Sequence, residues 1–127
     1  MIEHIRLSQQ AKDQLARLTR KIKLQHWNEM CRWALCLSLA EPSTPSPKSF
    51  PNDSSLEMSW RVFAGQYQEV YLAVLKERCL KDGLELKPET LANQLKLHLH
   101  RGIGYLASDT ELKNISHLLE KISAVPN

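Results

Sequence analysis

Residues 21–41, KIKLQHWNEMCRWALCLSLAE, join a cluster of positive charge to a densely apolar segment that carries two tryptophans and two cysteines. From about Gln25 to Ala40 the segment reads as a helix. Trp27, Met30, Cys31, Ala34, Leu35 and Ser38 recur at helical spacing and form one stripe. Trp33, Leu37 and Leu39 add apolar surface on other sides, so this helix must be covered around most of its circumference. In a chain of 127 residues part of that cover is expected from a second subunit. The expected oligomer interface is therefore Trp27, Met30, Cys31, Trp33, Leu35 and Leu37.

Upstream, IEHIRLS at 2–8 is too short for a helix and alternates Ile5 and Leu7 with polar neighbours, the pattern of a short strand with one apolar face. Ser8 stands where an N-cap would, and Ala11, Leu15, Leu18 and Ile22 give a helix over 9–22. Downstream, PSTPSPKSFPNDSS at 42–55 holds four prolines among serines, cannot propagate a helix or a central strand, and reads as an exposed linker. EMSWRVFAG at 57–65 fits a short strand or an entry segment equally well. Tyr67, Val70, Tyr71, Val74, Leu75 and Arg78 then follow a helical rhythm that ends at Gly83. Pro88 opens a helix with Leu91, Leu95 and Leu99 on its buried stripe, and RGIGY at 101–105 is expected to break it. Ser108 with Glu111 reads as a capping box for a last helix carrying Leu112, Ile115, Leu118, Leu119 and Ile122. The expected fold is mainly α, a short N-terminal strand plus about five helices, in a single domain over 1–127. Within it, 1–40 is a strand-helix-helix portion, 41–57 the Pro/Ser-rich linker and 58–127 a helical portion.

The composition narrows function. At 14.6 kDa the chain supports one core. Its longest apolar run, WALCLSLA, is eight residues, far short of the roughly 18 that a membrane span requires. MIEHIRLSQQ offers no apolar segment followed by a cleavage site, so a cytoplasmic protein with reduced thiols is expected. Cys31 and Cys36 lie five apart, not at zinc-ligand spacing, and read as packing thiols. His98 and His100 point to different faces of one helix. RGIGY matches neither the P-loop nor the dinucleotide fingerprint. No nucleophile with a base, carboxylate pair or metal cluster emerges, so the expectation is a protein that is not an enzyme and carries no metal or cofactor.

Charge points to a polyanion. The net charge is only +3, but residues 1–37 hold seven basic residues against three acidic ones, while the remaining 90 carry a slight acidic excess. Arg17, Arg20, Lys21 and Lys23 fall within seven residues, at the end of one helix and just before the start of the next. Cations at a helix C-terminus also complement its dipole, which is the purely structural reading. The sharper reading adds the free N–H groups at Gln25, His26 and Trp27 as a phosphate site, with Arg6 assisting. The candidate DNA-binding set is thus Arg6, Arg17, Arg20, Lys21, Lys23, Gln25 and His26.

A strand, a helix, a short turn and a second helix within 40 residues resemble the ribbon-helix-helix module. There, two chains pair their strands and the second helix anchors DNA phosphates. The glycine often found between the helices is replaced here by KIKLQ. Over longer stretches, IRLSQQAKDQLARL, QHWNEMCRWALCLSLAEPS, EMSWRVFAG and HLHRGIGYLA, the chain resembles the bacterial DNA sulfur modification protein family DndE. That resemblance implies a non-catalytic subunit of the DNA phosphorothioation machinery, a homotetramer that binds double-stranded DNA with a preference for nicks. Other proteins of the modification complex would supply the sulfur chemistry. Two rivals stand beside it: a ribbon-helix-helix transcriptional repressor reading the major groove with His4 and Arg6, and a scaffold subunit without a direct DNA role.

Overall fold

Residues 2–23, 26–109, 112, 114, 116 and 117 are described by a computed structural model. In chain order the elements are β1 (His4–Arg6), α1 (Gln9–Ile22), α2 (Trp27–Ala40), β2 (Glu57–Ser59), α3 (Trp60–Ala64), α4 (Gln68–Lys81) and α5 (Pro88–Ser108), with a 3-10 turn at Gly65–Tyr67. The fold is mainly α, with a small antiparallel sheet. Most of the last expected helix, including Glu111 and Ile115, lies outside the described residues.

The local signals explain the boundaries. Ser8 takes an extended conformation and its Oγ accepts from the Ala11 N–H at 3.2 Å, which starts α1. Ala11, Leu15, Leu18 and Ile22 form its buried stripe. The helix ends at Lys23, whose φ of 65° is left-handed and whose N–H donates to the Thr19 carbonyl at 2.8 Å. A lysine thus holds a position that glycine occupies at less strain. At the end of α4, Gly83 has φ 77°, its N–H donates to the Leu80 carbonyl and the Leu84 N–H to the Cys79 carbonyl. These two bonds satisfy carbonyls that the last turn would leave unpaired.

The segment at 57–65 is both strand and helix. Ile5 lies opposite Met58 in the β1–β2 register, both buried, and Ser59 caps α3 through its Oγ at 3.1 Å from the Val62 N–H. The strand that would pair across chains in a ribbon-helix-helix module therefore pairs within this one.

Three expectations are corrected. RGIGY does not break α5, which runs unbroken through it to Ser108. Gly102 is buried where α5 crosses α2, and a Cβ there would lie 1.9 Å from the Ala34 carbonyl oxygen. The glycine marks a close approach of two helices, and not a turn. Tyr67, just before α4, and Val70 and Val74 within it face solvent, while Leu75, Arg78 and Cys79 turn inward. Finally, Met30, Cys31 and Leu35 are fully enclosed by the chain's own core. The long α5 packs most extensively on α2, with α1 and α3 beside it. A second subunit is not needed to cover those three. Trp27, Trp33 and Leu37 pack against the core but stay partly open.

The proline-rich segment after α2 is tied down at many points. Arg78 donates to the carbonyls of Leu39, Pro42 and Ser43. Arg101 donates to Ser38 and Ser43. Lys96 reaches Phe50 and Asn52, and Ser54 Oγ donates to the Leu7 carbonyl at 2.6 Å. Prolines leave their carbonyl oxygens as acceptors, and the cations of α4 and α5 use the carbonyls of this segment to strap it to the body.

Candidate nucleic-acid interface

Arg17, Arg20 and Lys21 project from the C-terminal half of α1 and Lys23 from its C-cap, and all four are exposed. The inward stripe of the helix is taken by leucine and isoleucine, so the charged positions between can only face out. Arg17 and Lys21 are one turn apart on one line, with Arg20 beside them. Among the described residues, none of these four side chains makes a hydrogen bond or ion pair. Other cations are committed to the chain itself. Lys12 bonds Ser55 Oγ at 2.6 Å, Arg32 the Phe63 carbonyl at 3.0 Å, and Arg78 forms a buried ion pair with Asp82 at 3.0 Å. Arg20 and Lys21 lie in the last turn of α1, where they also complement its dipole.

The other expected contacts are less uniform. Arg6 pairs with Glu57 at 2.8 Å and donates to the Ser54 carbonyl, holding β1 to β2 and the strap. His26 is exposed at the N-cap of α2, with no side-chain bond closing that end. Gln25 lies outside the described residues. The sequence reading missed the structural roles of Arg78, Lys96 and Arg101. The available signal was position: Arg78 continues the helical rhythm of Leu75, and a cation in line with an apolar stripe needs a buried acceptor.

The buried polar groups serve packing. Arg101 Nε donates to Ser38 Oγ, which bonds His98 Nδ1, both at 2.8 Å. Burial first, then the nearby Arg101 and Arg78, pushes the His98 pKa down to about 4, so its ring is neutral at pH 7. Burial pushes the Cys31 thiol up to about 12, and it holds Cys79 above its ordinary value as well. Neither thiol is a thiolate at neutral pH. Cys36 is exposed. Among the described residues no group of three or more His, Cys, Asp or Glu side chains is placed to hold a metal ion, and no helix is long and apolar enough to cross a membrane.

Comparison with known proteins adds a family. The family described as DNA sulphur modification protein DndE matches residues 4–114. The fold is similar to the crystal structure of DndE from Escherichia coli B7A, involved in DNA phosphorothioation modification, at a TM-score of 0.68 and 24% identity, covering 84% of this chain and 99% of that one. It is equally similar to a DndE mutant involved in DNA phosphorothioation in which two glycines are replaced by lysines, at a TM-score of 0.67 and 24% identity, covering 86% and 100%. At that identity these structures establish a shared fold. No curated protein sequence matches the chain significantly.

Proposed function

The chain belongs to the DndE family of DNA sulphur modification proteins, and from that membership we propose that it is a non-catalytic subunit of the phosphorothioation machinery that binds double-stranded DNA through the α1 edge. The observation that carries this reading is the set of four exposed cations, Arg17, Arg20, Lys21 and Lys23, whose side chains have no partner among the described residues, while Arg6, Arg32, Arg78 and Arg101 are spent on the chain's own carbonyls and carboxylates. Solvated cations grouped on one helix edge are free to neutralise DNA phosphates and release the counterions condensed on them. His26 and the open start of α2 add backbone N–H groups beside them, the arrangement that receives a phosphate oxygen. Contacts of this kind grip the backbone and ignore base sequence. Binding to nicked DNA follows the same logic, since a nick lets the backbone follow the edge.

The protein acts as a homo-oligomer, a tetramer in this reading. The half-open Trp27, Trp33 and Leu37 and the exposed Val70 and Val74 are the apolar surface available for it. Repetition of one basic edge multiplies a weak phosphate grip. Sulfur transfer belongs to other proteins of the complex. Against the repressor reading stands Arg6, whose guanidinium is engaged by Glu57.

Gel-shift titrations of intact, nicked and scrambled-sequence duplexes at two salt concentrations, with the mass in solution measured alongside, test the proposal. Similar affinity for all sequences, tighter binding to the nicked duplex and a mass well above 14.6 kDa are expected. Selectivity for one sequence would favour the repressor, and no binding at low salt the scaffold.

A further inference from the structure

A groove of about 370 Å³ opens between the first half of α1, the strap and the second half of α5. Its size is within the range of small-molecule sites. Lys48 and Arg101 line it, together with Gln10 and Gln14 of α1 and the ring of Tyr105, and among the described residues no carboxylate does. A concave site with two cations and no acid attracts an anion.

The aromatic wall narrows the anion. Tyr105 is 42% exposed, and the Arg101 guanidinium lies 6.0 Å from its ring centroid. Arg101 is itself fixed by Ser38 and Ser43, so the ring beside it has a rigid neighbour. Beside it, Gly104 contributes no side chain, and a Cβ built there meets nothing within 4 Å. The next position inward, Gly102, is needed for packing on Ala34; Gly104 has no such role, and its effect is to keep the groove open in front of Tyr105. A flat aromatic ligand with a negative charge fits the space.

The groove is also continuous with the basic edge. Gln10, Gln14, Arg17 and Lys21 follow each other at four, three and four residues, which places them on one stripe of α1. From Gln14 in the groove to Lys21 on the edge the helix rises about 10 Å. A nucleic-acid strand that lies along this stripe passes from the phosphate contacts directly into the groove.

The geometry points to a site for one unpaired nucleotide, its base against Tyr105 and its phosphate beside Lys48. It deepens the DNA-binding reading and can fail separately from it. The nucleotide has two possible sources, an unpaired position in a DNA strand or a free nucleotide, and the test separates them. Binding of the full chain is measured to an intact duplex, to a duplex with a one-nucleotide gap opposite an unpaired base, to AMP and to inorganic phosphate. The variants are Tyr105→Ala, Tyr105→Trp and Gly104→Leu, each checked for a cooperative melting transition no lower than the parent's. Loss of one base-on-ring stack weakens binding roughly tenfold. Tyr105→Ala and Gly104→Leu are expected to lose that factor on the gapped duplex, on AMP or on both, with Tyr105→Trp restoring it. The intact duplex should bind all variants like the parent. A loss on the gapped duplex identifies a strand nucleotide; a loss on AMP alone identifies a free one. Equal binding by all variants to both probes overturns the proposal, and so does a response to inorganic phosphate as strong as that to AMP. If the parent ignores the intact duplex yet takes AMP in a Tyr105-dependent way, the DNA-binding reading fails and the groove stands.

Discussion

Replacing Gly102 by alanine adds one methyl group at the crossing of α2 and α5. The new Cβ would stand 1.9 Å from the Ala34 oxygen, 2.5 Å from its carbonyl carbon and 2.8 Å from its Cα. All three are backbone atoms, so no side chain can rotate away. To restore ordinary contact near 3.4 Å, the helices must part by roughly 1.5 Å. That separation loosens the layer in which Met30, Leu35, Leu95, Leu99 and Ile103 are fully enclosed. Overpacking of a rigid contact costs about 3 kcal/mol, which in a domain of this size lowers the melting temperature by roughly 10 °C. Gly104, two residues on and in the same helix, is the internal control. Its Cβ meets nothing, so Gly104→Ala gains helix propensity and stabilises by about 1 kcal/mol. Urea unfolding of the pair should therefore move the midpoints in opposite directions. A Gly102→Ala protein as stable as the parent would refute the packing argument, because the propensity gain is common to both sites.

Acid should weaken the fold through His98, whose pKa falls from 6.5 when unfolded to about 4 when folded. The unfolded chain then binds the extra proton first, so stability is complete above pH 6.5 and declines by about 3 kcal/mol down to pH 4. Denaturant titrations at several pH values should show this decline, and His98→Gln should flatten it. Lys23→Gly should relieve the left-handed backbone at φ 65° and stabilise by about 1 kcal/mol, while lowering the salt slope of DNA binding by about one unit; calorimetry and binding together check the opposed signs. Arg78→Leu would leave the buried Asp82 carboxylate and the Leu39 and Pro42 carbonyls unpaired, with the Ser43 carbonyl held by Arg101 alone, at a cost of about 3–5 kcal/mol, with faster proteolysis within 41–55 as the companion readout.

Much of the fold was legible where a residue's local role is also its tertiary role. Ser8 caps α1, Pro88 opens α5 and Gly83 closes α4 because these functions depend on neighbours a few residues away. The misreadings share a different cause. Gly102 looks like a turn until Ala34 of another helix is placed against it. The strap looks free until Arg78, Lys96 and Arg101 arrive at its carbonyls from 35 to 58 residues away. Met30, Cys31 and Leu35 suggest a second subunit because α5, which covers them, was read as ending at residue 101. The basic edge could be found from sequence because charge clustering in a helix is local. Which cations are already spent was hidden, since only the fold brings Glu57 to Arg6.

The central claim is that the α1 edge grips phosphate, and the salt dependence of duplex binding tests it most directly. The logarithm of the binding constant is measured against the logarithm of salt concentration for the parent, for Lys21→Ala with Lys23→Ala, and for the charge-preserving Lys21→Arg with Lys23→Arg, with oligomer mass checked in each. Two lost phosphate contacts should flatten the slope by roughly two units and weaken binding alike for all sequences, while the arginine pair keeps the parent's slope. An alanine pair that folds normally and binds with the parent's affinity and slope would contradict the account.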